Sequence, residues 1–309
     1  MAIELSLRTR DAGGEVQRPG PEQARQLLGH RRLLLLVHGY NNDQGDARRA
    51  YEGFEQLQRQ LARVEAGDGY AGGRTVVKVY WAGDADFGLL SPLFYPWIVR
   101  NAPLSGQYLA ELLDAVAGAE DLDLCIVSHS LGCRVAAELL RALRPGSRAR
   151  VSRVVFFAAA VGLDKLEDLS APALGRAFAA RVQDSALSLY SGFDGVLAGA
   201  FPLGQTLAPG NEGFFPTALG HALWTSNRQP AQLSQGEVPG AGHSDYWGWV
   251  EKTRERCGLP ANVAARASLR LEPPAARQVL PRPLAIRTAA QAREAGRRDV
   301  ATRETLPNY

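Results

Sequence analysis

Cysteine, methionine and lysine are scarce in this 309-residue chain, which has three Cys, one Met and three Lys against 32 Arg. Cys125, Cys133 and Cys257 are odd in number and widely spaced, and two of them lie in apolar segments. That pattern argues against a disulfide framework and against a zinc site, so buried thiols in a reducing compartment are expected. No stretch reaches the ~18 uninterrupted apolar residues that a membrane-spanning helix needs. The first residues, Met-Ala-Ile-Glu-Leu-Ser-Leu-Arg, lack a charged-then-apolar export signal. A soluble chain in the cytoplasm is the expectation, with signal-peptide-independent export left open. Also missing are G-x-x-x-x-G-K-[ST], H-E-x-x-H, a paired C-x-x-C and a G-x-G-x-x-G after a strand, which removes phosphate-loop, zinc-peptidase and dinucleotide readings.

What is present is ordinary in bulk, at 46% hydrophobic and 22% charged residues, and sufficient for one large α/β core. The net charge of +3 is unevenly spread. Residues 260–309 hold nine Arg, four acids, six of the 18 prolines and one aromatic, Tyr309. A segment of that kind buries little on its own. Its charges are not interleaved with aromatic platforms, so a nucleic-acid partner is not expected. The chain therefore divides into a domain over 1–258 and a basic Pro/Arg/Ala-rich extension over 259–309.

Short apolar runs alternate with amphipathic stretches along the domain. Strands are expected at Leu33–Val37, Thr75–Trp81, Leu122–Val127, Val151–Ala160, Ala186–Ser191 and about 232–238. Helices are expected at 44–65, 105–118 and 131–143. This order implies a mostly parallel central sheet with helices on both faces and reactive groups at the carboxyl ends of the strands. Two insertions, 82–100 and 196–219, are rich in aromatics, Gly and Pro and read as long connections that either pack under the rim or cap a substrate.

Ser128-His129-Ser130-Leu131-Gly132 sits where an apolar strand meets an amphipathic helix, with small residues two before and two after Ser130. That is the pattern of a nucleophile elbow, in which a sharp turn exposes a serine oxygen above the sheet and aims a helix N-terminus at it. His38-Gly39-Tyr40-Asn41-Asn42 follows the first buried strand. It is placed to supply a second oxyanion donor, so the amides of Tyr40 and Leu131 are the expected oxyanion hole, with His38 pinning the loop. A serine needs a base held by a carboxylate. Of the five histidines, His243, in a glycine-rich loop after the last strand, is favoured over His221. Among acids between nucleophile and base, Asp194, directly after a strand, is favoured over Asp164, whose neighbours suit a helix N-cap.

On these residues the stretch 30–250 resembles the α/β-hydrolase superfamily, in particular a bacterial branch of poorly characterised hydrolases with an HGYNN loop and an SHSxG elbow. The resemblance implies an α/β-hydrolase fold and an esterase- or lipase-like Ser130–Asp194–His243 triad, with no cofactor and no metal. The expected substrate is a small-molecule or lipid ester. Phe94, Trp97 and Phe214, from the two insertions, are the expected lining for an apolar acyl group. A non-catalytic adaptor on the same shell, and the same triad serving an acyltransferase or peptidase, are the alternatives.

Overall fold

The structure, a computed structural model, describes residues 2–65, 72–84, 95–170, 173–208, 214–247, 261, 264–266 and 268. Seven strands run in chain order as β1 (Ile3–Leu7), β2 (Arg32–Val37), β3 (Thr75–Trp81), β4 (Leu122–His129), β5 (Ala149–Phe157), β6 (Val182–Tyr190) and β7 (Leu233–Glu237). They form one sheet in the order β1-β3-β2-β4-β5-β6-β7, every pair parallel. The helices are α1 (Pro21–Leu27), α2 (Gln44–Glu65), α3 (Tyr95–Ile98), α4 (Asn101–Ala117), α5 (Gly132–Ala142), α6 (Leu163–Glu167), α7 (Leu174–Arg181) and α8 (Phe201–Leu207). A π-helical turn, Val196–Ala200, leads into α8. This is the α/β-hydrolase fold that the resemblance implies.

Continuous apolar runs make the central strands because both of their faces are covered. Leu33, Leu34, Leu35, Leu36 and Val37 of β2 and Leu124, Cys125, Ile126 and Val127 of β4 are all buried. The edge strand β1 behaves differently. Its Ile-Glu-Leu-Ser-Leu alternation buries Leu5 and Leu7 while Glu4 faces out, a two-residue period too short to stand out beside the longer apolar runs. Helix α2 lays Ala47, Tyr51 and Phe54 on the sheet. The core does not stop at residue 258, because Ala264 lies in it and Gln58 Nε2 donates to the Ala265 carbonyl at 2.6 Å.

The topology sets the site. The connection from β2 leads to one side of the sheet and that from β4 to the other, so a crevice opens between their carboxyl ends. Both sequence motifs sit there. The segment 196–219, read from sequence as a loop, is helical over 196–207, and residues 85–94 of the other insertion lie outside the described set.

Helix α5, which follows the crevice strand, packs closely on α4 because Gly106 has no side chain. A Cβ there would come within 2.6 Å of Glu138 Cβ and 2.8 Å of the Val135 carbonyl. Gly106→Val should therefore destabilise the fold by at least ~2 kcal/mol through overpacking, read as a lower urea midpoint.

Candidate active site

Strand β4 ends in a tight turn. Ser130 has a φ of 52°, a left-handed conformation unusual for a side chain larger than hydrogen. Two backbone bonds hold it there: Ser130 N–H donates to the Phe157 carbonyl at 2.9 Å, and Ala160 N–H donates to the Ser130 carbonyl at 3.1 Å. Gly132 is forced by close approach, since a Cβ at that position would lie 2.2 Å from the His38 carbonyl oxygen. Helix α5 begins there, leaving the amides of Leu131 and its neighbours at an N-terminus.

The loop 38–42 is built from buried hydrogen bonds. His38 Nδ1–H donates to the Gly39 carbonyl at 2.9 Å, and its Nε2 accepts the Trp81 amide at 3.2 Å. Its own amide donates to Tyr51 Oη at 2.7 Å, and Tyr51 in turn donates to the Val79 carbonyl. Burial pushes the His38 pKa down to about 3, so the ring is neutral and structural, as the sequence suggested. Gly39 cannot carry a side chain: a Cβ would be 2.8 Å from both His129 Nδ1 and Ser130 Cβ. Asn41, at a φ of 58°, turns the chain and donates its amide to Gly83 at 2.7 Å. A buried ion pair, Arg8 to Asp84 at 2.6 Å, braces the loop from the β1 side, with Arg8 also donating to the Trp81 and Asn42 carbonyls.

The structure brings Ser130, His243 and Asp194 into one hydrogen-bonded chain. His243 Nδ1–H donates to Asp194 Oδ2 at 2.7 Å, and its Nε2 accepts from Ser130 Oγ at 2.8 Å. Asp194 follows β6 and is completely buried. Its second oxygen, Oδ1, accepts the amides of Val196 and Leu197, each at 3.0 Å, so the carboxylate also caps the helical segment 196–207. His243 follows β7 in a turn closed by Gly242 N–H donating to Asp245 Oδ2 at 2.8 Å.

The rivals fall elsewhere. Asp164 lies in the first turn of α6, and His221 lies in the turn after Leu219. Of the expected acyl-lining residues, Phe94 lies outside the described residues. Trp97, on α3, is 53% exposed, and Phe214 is 84% exposed and edge-on to Phe215. Helix α3 packs on α8, with Gln205 Nε2 donating to Tyr95 Oη at 2.9 Å, and Tyr95 meets Tyr40 edge-to-face at 5.2 Å. The two insertions thus touch each other and the 38–42 loop.

Three participants were not legible beforehand. Arg8 and Asp84 stand 76 residues apart and pair only through the fold. His129 sits beside Ser130, where an elbow turn directs its side chain away from the serine and the sequence assigns it no part. It is buried, and its Nε2–H donates to the His243 carbonyl at 2.7 Å. No metal-binding cluster of His, Cys, Asp or Glu occurs among the described residues.

Neither a protein-family model nor any curated protein sequence matches the chain. Solved structures of similar chain path include the Thermus thermophilus protein TT1662 (16% identity, 78% of this chain, 87% of that one, TM-score 0.42). A Lactobacillus plantarum protein described as a cell surface hydrolase is similar at 12% identity, 87% and 98% coverage and a TM-score of 0.41. Aspergillus fumigatus lipase B is similar at 13% identity, 82% and 66% coverage and a TM-score of 0.36.

Burial gives the site a pH signature. His38 and His129 both have pKa values pushed down to about 3, against an ordinary 6.5. Between those values the unfolded chain binds more protons than the folded one, so stability is full above the ordinary value and is lost as pH falls. Each ring should contribute a slope of up to ~1.4 kcal/mol per pH unit in that window. Urea unfolding at several pH values from about 4 to 7 should show the loss, and His129→Gln should remove roughly one proton's share of the slope.

Proposed function

We propose that the chain is a serine hydrolase of carboxylic esters with an apolar acyl group. The observation that carries this reading is the unbroken Asp194–His243–Ser130 hydrogen-bond chain at the carboxyl ends of β4, β6 and β7. Each member has the partner its role requires. In this mechanism Ser130 Oγ attacks the ester carbonyl carbon as its proton passes to His243 Nε2. The tetrahedral intermediate collapses, and His243 gives that proton to the departing alcohol. Water then attacks the acyl-enzyme, with His243 taking a proton from it and returning one to Ser130.

Asp194 accepts from the imidazole Nδ1–H, which fixes the tautomer that leaves Nε2 free to act as base and stabilises the imidazolium that forms. The amides of Tyr40 and Leu131 would receive the developing oxyanion, and the α5 N-terminus adds a favourable dipole. No step calls on a cofactor or a metal.

The acyl preference rests on the surface beside the crevice. From Gly195 to Ser226 the only Asp, Glu, Lys or Arg is Glu212. Leu203, Leu207, Phe214 and Phe215 are all more than half exposed. Apolar groups concentrated at one rim usually mark a binding surface. Trp97 and Phe214, with Phe94, are the proposed acyl contacts.

Ser130→Ala and His243→Ala should abolish ester turnover and fluorophosphonate labelling while leaving the thermal midpoint near that of the parent. Asp194→Asn should lower kcat on the order of 10⁴-fold by favouring the wrong tautomer. Turnover by folded Ser130→Ala would overturn the mechanism. For the acyl group, each buried CH₂ is worth ~0.8 kcal/mol, so kcat/KM should climb steeply from acetyl toward longer esters and flatten in Trp97→Ala. A flat series in the parent would remove the acyl assignment.

A further inference from the structure

We infer that His129, between Ser128 and the nucleophilic Ser130, is a positioning residue: its Nε2–H holds the main chain of His243 and so sets where the base stands over Ser130. This rests on the reading of His243 as the base.

The hydrogen bond from His129 Nε2 to the His243 carbonyl is 2.7 Å long, and the two rings lie 5.0 Å apart. Tyr246 and Trp247, at the end of the turn carrying His243, pack on Phe157 and Phe54, but the hydrogen bonds of the turn close largely upon itself. Ala241 N–H donates to the Val238 carbonyl, Asp245 N–H to the Gly242 carbonyl and Gly242 N–H to Asp245 Oδ2. Those bonds shape the turn but do not locate it relative to the elbow. The side-chain bonds from His243 to Asp194 and Ser130 do locate it, yet one of them must break and re-form in every catalytic cycle. A main-chain tie to the elbow stays in place while Nε2 exchanges its proton partner.

Packing alone would not select histidine here. Its ring has Tyr246 at 6.3 Å and Trp247 at 6.1 Å as neighbours, an aromatic surround that a phenylalanine would fill. Instead the position holds an imidazole whose Nδ1 is buried with no hydrogen-bond partner among the described residues. Leaving a buried acceptor unpaired is unfavourable, so the donor on the other side of the ring must compensate. Burial also keeps the ring neutral, with a pKa near 3, so it remains a donor at Nε2 without adding a second positive charge beside His243. Because Nδ1 abuts Gly39, the same ring spaces the base loop from the 38–42 loop.

The test compares His129→Phe, which keeps the aromatic packing without the donor, with His129→Gln, whose amide nitrogen reaches the place of the imidazole Nε2. His129→Leu stands in if the Phe variant does not fold. His129→Phe should lower kcat ~30- to 100-fold with KM within ~3-fold, the size of effect that a small displacement of a reacting group produces. His129→Gln should regain at least ~10-fold of that loss. Equal losses in the two variants, or kcat unchanged in His129→Phe, would overturn the inference.

A second readout needs no turnover. In a Ser130→Ala background, amide exchange over residues 242–246 should quicken in His129→Phe and return toward the parent rate in His129→Gln, with β2 amides unaffected. Identical exchange in all three proteins would refute the anchoring role whatever the kinetics show. A parent that hydrolyses no ester but shows the exchange shift would instead refute the esterase reading and leave the anchor standing.

Discussion

Everything at this site depends on how closely α5 approaches β2. The helix N-terminus comes so near that at Gly132 a single added carbon would sit 2.2 Å from the His38 carbonyl. The turn reaches that position only by placing Ser130 in a left-handed conformation, which costs about 1–3 kcal/mol for a residue with a side chain. Paired bonds to Phe157 and Ala160 on the neighbouring chain segment offset the strain and fix the geometry. Once that approach is made, the helix amides, the 38–42 loop and the Ser130 oxygen fall into one crevice without further adjustment.

The electrostatics around the crevice are arranged by exclusion. Two imidazoles, His38 and His129, are buried so deeply that neither accepts a proton at ordinary pH. Both serve as neutral hydrogen-bonding wedges. Asp194, also buried, faces His243 and two helix amides. The thiols of Cys125 and Cys133 are pushed up to about 12 by burial and take no part.

Sequence order and hydrophobic period were enough to foresee the central sheet, because β2 and β4 carry continuous apolar runs and β3 one broken only at Lys78, each ending near turn-forming residues. The glycine and small-residue spacing around Ser130 pointed to the elbow, and position after a strand pointed to Asp194 and His243. What escaped was of two kinds. Short elements such as β1, α7 and the helical 196–207 segment draw their stability from tertiary contacts, and their local pattern is weak. The 196–207 segment is further disguised by Gly199, Pro202 and Gly204, of which Pro202 suits a helix start and Gly204 makes room for the Tyr95 ring. Long-range polar pairs were the other kind. Arg8 with Asp84, and His129 with the His243 carbonyl, are set by which strand ends the topology brings together.

The contacts around the crevice form a closed circuit. Asp194 caps the 196–207 segment, α8 rests on α3, Tyr95 of α3 meets Tyr40, and the 38–42 loop abuts the elbow through Gly39 and Gly132. The grip of Asp194 on that circuit is through main-chain amides of residues 196 and 197, which every amino acid except proline supplies. The outward-facing side chains of the same segment, Val196, Leu203 and Leu207, carry none of it. Natural variation can therefore rewrite the outer face of 196–207 while Asp194 keeps its place. Proline at 196 or 197 is the change such drift could not admit.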